Sequence, residues 1–128
     1  MNTVSTTFGF TPQAWEAAKR EATCAIVRAG RRGQTITYSD LVREITSIQI
    51  EPHSYAMNGL LDEISKEEDA AGRGILTALV VRKEDGVPAE GFWASALDIG
   101  RDIKNKDAMW VTEFKRVLEE CKRHPLCP

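Results

Sequence analysis

Apolar side chains recur at helical spacing between residues 12 and 29. Trp15, Ala18, Ala22, Ala25, Ile26 and Ala29 fall within an arc of about 100°, a single buried stripe. Thr11 is a candidate N-cap, Pro12 suits the first helical position, and Gly30 reads as the stop. After the short basic loop 31–34, Thr35-Ile36 reads as a brief extended segment. Thr37-Tyr38-Ser39-Asp40 then fits a capping box, with Asp40 placed to reach back to the helix start. Leu41, Val42 and Ile45 give this second helix its apolar side. Pro52 restarts a helical pattern that fades around residues 48–51, and the spacing predicts a third helix over about residues 54–69. Its buried face is Ala56, Met57, Leu60, Leu61 and Ile64, while Tyr55, Asn58, Asp62 and Lys66 point away.

Beyond a small-residue break at 70–74 the pattern changes. Residues 75–82 are rich in leucine, valine and threonine and read as a strand. The Asp85-Gly86 turn signal follows, and residues 91–93 read as the returning strand of a hairpin. Residues 94–103 predict a short helix ending near Gly100. Asp107 can cap a last helix that carries Met109, Trp110, Phe114, Val117, Leu118 and Cys121 on one side. The expected order is α-β-α-α-β-β-α-α in a single α+β domain over residues 11–123. A flexible segment is expected over residues 1–10 and a frayed tail over 124–128.

With 128 residues the chain is long enough for one domain with a substantial core. Hydrophobic residues at 42% and charged residues at 28% are ordinary for a globular protein, which argues against disorder and coiled coil. No apolar run approaches the ~20 residues of a membrane span, and the N-terminus lacks the pattern of a secretory signal. Three cysteines are too few for a disulfide scaffold; the odd count suits reduced thiols and a cytoplasmic location.

Two stretches resemble known proteins. The glycine-containing basic loop running into Thr35-Ile36-Thr37-Tyr38-Ser39-Asp40-Leu41 resembles the T-Y-x-x-L opening of winged-helix domains, including the DNA-binding half of the DNA alkyltransferases. Ile75-Leu76-Thr77-Ala78-Leu79-Val80-Val81, followed by Gly86-Val87-Pro88-Ala89-Glu90-Gly91-Phe92, is similar to a hairpin of small, mostly uncharacterised bacterial winged-helix-like proteins. The resemblance spans about residues 31–100 and implies a winged-helix-like fold: helices two and three as a helix-turn-helix pair, residues 75–93 as the wing. In that arrangement the third helix enters a major groove, where Asn58 reads a base edge and Tyr55 touches phosphate. Arg31 and Arg32, with Arg82 and Lys83 at the wing, would grip the backbone. The alkyltransferases carry a reactive cysteine in a Pro-Cys-His-Arg motif. This chain has no such tetrapeptide, which excludes alkyl transfer.

Charge weighs against duplex binding. The net balance is −2, and residues 61–90 carry four basic against eight acidic side chains. An acidic reading helix handicaps phosphate contact, so nucleic acid and a protein partner both remain candidates for the same scaffold. Cys121, His124 and Cys127 form a C-x2-H-x2-C spacing that can hold zinc. The alternative makes Cys121 a packed small hydrophobe and leaves the other two in the tail. Cys24 lies opposite the apolar stripe with Arg20 and Arg28 one turn away, which favours a thiolate; otherwise it is a surface or packing cysteine. His53 reads as a capping or core histidine, and Glu67-Glu68-Asp69 as a solvated helix end. No phosphate-cradling glycine loop, G-x-S-x-G elbow or H-E-x-x-H pair is present, so the sequence points to a binding module without catalysis or cofactor.

Overall fold

Thr11 closes the amino end of α1 (Pro12–Arg31) by accepting the Ala14 N–H at 3.2 Å, with Pro12 in the first turn. The computed structural model, which describes residues 7–128, buries the whole predicted stripe of this helix. Gly30 is not its stop. It lies inside the last turn of α1, against Cys121 and Leu79, and the chain turns instead at Gly33, whose φ of +68° favours glycine.

Thr37 ends β1 (Ile36–Thr37) and caps α2 (Tyr38–Arg43) by accepting the Asp40 N–H at 3.1 Å. Only half of the capping box forms, because the Asp40 carboxylate turns to Arg43 at 2.8 Å. Ser54 caps α3 (Tyr55–Ala70) through the Met57 N–H, so the predicted boundaries hold to within a residue. Met57, Leu60, Leu61 and Ile64 face the core as their spacing requires.

The antiparallel hairpin between residues 75–82 and 91–93 does not form. Residues Leu76–Leu79 make a 3-10 turn, and β2 (Val80–Val81) pairs in parallel with β1 in the register Ile36 to Val80 and Thr37 to Val81. A parallel pair needs a crossover, which α2 and α3 supply. The physical reason lies in burial. A wing covering one side of the core alternates, whereas every residue from Ile75 to Val81 is buried, as in a short parallel strand covered on both faces. The Asp85-Gly86 turn does form, with Gly86 N–H donating to Arg82 O at 2.9 Å and Arg82 N–H to Val87 O at 2.8 Å. It leads into a helix, α4 (Glu90–Ile99), which buries Phe92, Ser95 and Ala96 and stops at Gly100 with φ +106°. α5 (Lys106–Cys121) is capped by Asn105 rather than by Asp107. The architecture is therefore mixed and helix-dominated, compatible with α+β, in the order α-β-α-α-β-α-α. One two-stranded parallel sheet lies among the described residues.

The main core joins α1, α2, α3, the 3-10 turn and α5. A smaller one gathers Ile75, Ala78, Phe92 and Ala96 with Trp93 and Trp110, whose Nε1 donates to Ala78 O at 2.8 Å. Buried charges join the elements. Glu113 accepts from Ile75 N–H and from Arg101, which also reaches Asp69. Lys19 lies within 3.1 Å of Glu16, Glu63 and Glu67. Burial works against its charge, yet the hydrogen bonds it donates to these three carboxylates win and raise its pKa. Glu67-Glu68-Asp69 is thus an ion-pair junction rather than a solvated end.

Nor is the tail frayed. Arg31 donates to the carbonyls of Cys121, Cys127 and Pro128 at 2.9, 2.9 and 2.7 Å, with a longer bond to His124. His124 is buried; its Nδ1 accepts the Leu126 N–H, so Nε2 carries the proton and donates to Glu68 at 2.7 Å. Cys24 and Cys127 form a disulfide with Cα atoms 5.4 Å apart, which overturns the expectation of reduced thiols for these two. Closing a loop of 103 residues stabilises the fold by about 4–5 kcal/mol in chain-entropy terms. Residues 7–10 are also packed: Thr7 and Phe10 bridge, and the Phe8 and Phe10 rings lie 5.5 and 6.1 Å from Trp15. Residues 1–6, the rest of the segment expected to be flexible, lie outside the described residues. Among the described residues no helix is long and apolar enough to cross a membrane.

Candidate functional site

α3 and α4 run side by side in the same direction. Asn58 meets Gly91, Ser95 Oγ donates to Asp62 at 2.7 Å, and Lys66 reaches Asp98 at 3.4 Å, so the contacts climb both helices together. Their amino ends consequently open at one end of the molecule, where the helix dipoles favour negative charge. Glycine at 91 lets the helices approach, since a Cβ there would sit 3.3 Å from Asn58 Oδ1.

Tyr38 braces this end from beneath. Its hydroxyl accepts the Ala89 N–H at 2.9 Å and fixes the loop that enters α4. Burial pushes its pKa up, only partly offset by that hydrogen bond and by Arg82 nearby. His53 is neither a cap nor a core residue: it is exposed and its ring lies 5.5 Å from that of Tyr38. Tyr55, in the first turn of α3, is 87% exposed, and Asn58 is exposed one turn on. Phe8, 52% exposed, lies over Gly59; a Cβ on Gly59 would come within 2.4 Å of its ring. Tyr55 and Gly59 share a helix face at i and i+4, so the two exposed aromatics, Tyr55 and Phe8, lie on the same face of α3. Phe8 was not legible as a site residue. Its place depends on the chain folding back over a glycine, which no spacing announces.

The expected phosphate grip is not assembled. Arg31 is engaged with the tail carbonyls, and Arg32 bonds Gln34 at 3.2 Å. Both precede β1, whereas Arg82 and Lys83 follow β2. In a parallel ladder those positions lie at opposite ends. Arg82 pairs with Asp85 across the turn. Lys83 is exposed and, like Arg32, holds no ion pair among the described residues.

The C-x2-H-x2-C residues also part company. Cys127 bonds Cys24, His124 bonds Glu68, and Cys121 packs against Gly30 with its thiol pushed up to about 11, chiefly by burial. Among the described residues no three His, Cys, Asp or Glu side chains are grouped to hold a metal. A second concavity, about 170 Å3, lies between α1 and α3, and Leu126 of the tail lines it. Comparison of the chain with protein-family models, with curated proteins and with solved structures finds no match to any of them.

Proposed function

We propose that the chain is a non-catalytic accessory or regulatory module, built on a helix-turn-helix pair (α2 and α3) related to winged-helix domains. It docks a protein partner through the amino end of α3. The observation that carries this reading is the pair Tyr55 and Phe8, two large aromatic side chains left open on one face of α3 near Asn58. Exposed aromatics at the centre of a surface are typical anchors of protein interfaces, and removing one costs about 2 kcal/mol or more of binding.

The parallel amino ends of α3 and α4 support a second reading, contact with nucleic acid through Asn58 and Lys83. Magnitude weighs against it. One phosphate neutralised by Lys83 gives a salt slope of only about −0.9, whereas useful duplex affinity rests on several such contacts. Glu90, in the first turn of α4, adds a negative charge at the same end and opposes phosphate.

A photo-crosslinking residue in place of Tyr55, compared with one at exposed Lys115 on α5, separates the readings. A discrete protein adduct from position 55 that disappears with Phe8→Ala is the expected outcome. Steep duplex binding at low salt, weakened by Lys83→Ala and by Asn58→Ala, would instead establish the nucleic-acid reading.

A further inference from the structure

We infer that Cys24 and Cys127 are a reversible redox pair that latches the C-terminal tail over the cleft between α1 and α3, with a dithiol as its reductant. The placement of the tail is the ground for this. The chain leaves α5 at Cys121, buries His124 against Glu68, and lays Leu126 on the rim of a cleft lined by Lys19, Thr23, Ile64 and Arg73. Leu126 is 65% exposed, so it covers the cleft without being part of the core. Beyond His124 the tail is held by Arg31 through backbone carbonyls and by the bond between Cys127 and Cys24. Main-chain hydrogen bonds to one surface arginine close and open readily; the covalent bond makes the closure persistent.

The two sulfurs differ in access. Cys24 is partly buried and opens onto the cleft, whereas Cys127 is 6% exposed. A dithiol reductant, as a monothiolate, therefore attacks Cys24 Sγ. The Cys24–Cys127 bond breaks, its electron pair leaves on Cys127 Sγ, and that sulfur takes up a proton. The second thiol of the reductant then loses its proton and attacks the first reductant sulfur. It closes a cyclic disulfide and releases Cys24 as a thiolate, which is protonated in turn. Two electrons and two protons pass from the dithiol to the pair. Arg20 and Arg28, one helical turn to either side, favour the departing Cys24 thiolate. Cys121, the remaining thiol, does not intercept the exchange: it is buried against Gly30 and stays protonated near neutrality. Reduction thus frees residues 125–128 and lifts Leu126 from the cleft, while His124 keeps its hold on Glu68.

The test uses the full chain purified without reductant. Digestion and mass spectrometry should give one peptide pair linked through Cys24 and Cys127. Dithiothreitol should then expose two alkylatable thiols rather than three. By NMR, exchange of the Leu126 and Cys127 amides should speed up at least tenfold on reduction and the Ile64 methyl signals should shift, with the chemical shifts of the α1 and α5 core unchanged. Cys24→Ser should show the same open tail without reductant, and Cys121→Ser should leave the latch intact. Absence of the linked peptide overturns the proposal. So does an unchanged Leu126 amide after reduction. Collapse of the native spectrum on reduction, with all three thiols reactive, overturns it as well, because the chain then does not stay folded with an open tail.

Discussion

Replacing Gly30 by alanine sets two known effects against each other, and the sign of the result is diagnostic. Gly30 is helical, and alanine inside a helix is worth about 1 kcal/mol more than glycine. Were the surroundings open, the substitution would stabilise. They are not: an alanine Cβ would lie 2.4 Å from Cys121 Sγ, 2.9 Å from Leu79 Cδ1 and 3.0 Å from Cys121 Cβ. Comfortable carbon contacts begin at about 3.5 Å, so the overlap approaches an ångström with atoms of two different elements. Relief by separating α1 from α5 is resisted by Arg31, which donates to Cys121 O at 2.9 Å one residue away. Overpacking of this kind costs about 1–3 kcal/mol; set against the gain of about 1 kcal/mol in propensity, it leaves a net loss of up to about 2 kcal/mol. Urea unfolding followed by tryptophan fluorescence, with an unchanged slope and a lowered midpoint, measures it. In the double variant Gly30→Ala/Cys121→Ala the closest atom is gone, and part of the loss should return as a favourable coupling. A Gly30→Ala protein more stable than its parent, or strictly additive with Cys121→Ala, would refute the close approach of α1 and α5.

Two further outcomes follow from buried and paired charges. Glu113→Ala leaves the Ile75 N–H without its acceptor and removes one of the two carboxylates from Arg101, so unfolding should become easier by about 3–5 kcal/mol; Glu113→Gln, which keeps an acceptor, should cost less. Glu21 has its pKa lowered, because hydrogen bonds from Thr46 and Ser47 outweigh the burial that would raise it. Its stabilising contribution is therefore fully present above the unfolded glutamate value of about 4.3 and is lost as pH falls below it. Glu21→Gln should lower the urea midpoint at pH 7, and the gap should narrow as pH falls below about 4.3; a gap that does not narrow in acid counts against the assignment.

Sequence pattern carried furthest where local rules and tertiary packing agree. The stripe of α1, its Thr11 cap and the stripe of α3 are local, and each proved correct. The segment 75–82 could not be decided locally: a short run of apolar residues fits a buried strand and a buried turn of helix equally, and here it is partly each. That ambiguity propagated, since a strand there makes the Asp85-Gly86 turn look like a hairpin and conceals α4. The site fared likewise. Tyr55 and Asn58 were readable as the outer face of α3, whereas the separation of Arg31 and Arg32 from Arg82 and Lys83 depends on a parallel rather than an antiparallel ladder. The tail escaped because its anchors, Arg31, Glu68 and Cys24, are distant in sequence and each had an ordinary local explanation.

The bond between Cys24 and Cys127 also changes how the chain carries mechanical load. All but residues 1–23 and Pro128 lie within one covalent ring. Tension applied between the two ends of this chain is shunted across two sulfur atoms and never reaches the ring. In an optical trap the oxidised chain should surrender only about 24 residues, roughly 80 Å of contour, as the first turns of α1 peel away and the force halts at Cys24. The reduced chain should extend to about 430 Å, with the parallel ladder and the paired α3 and α4 now in the line of force.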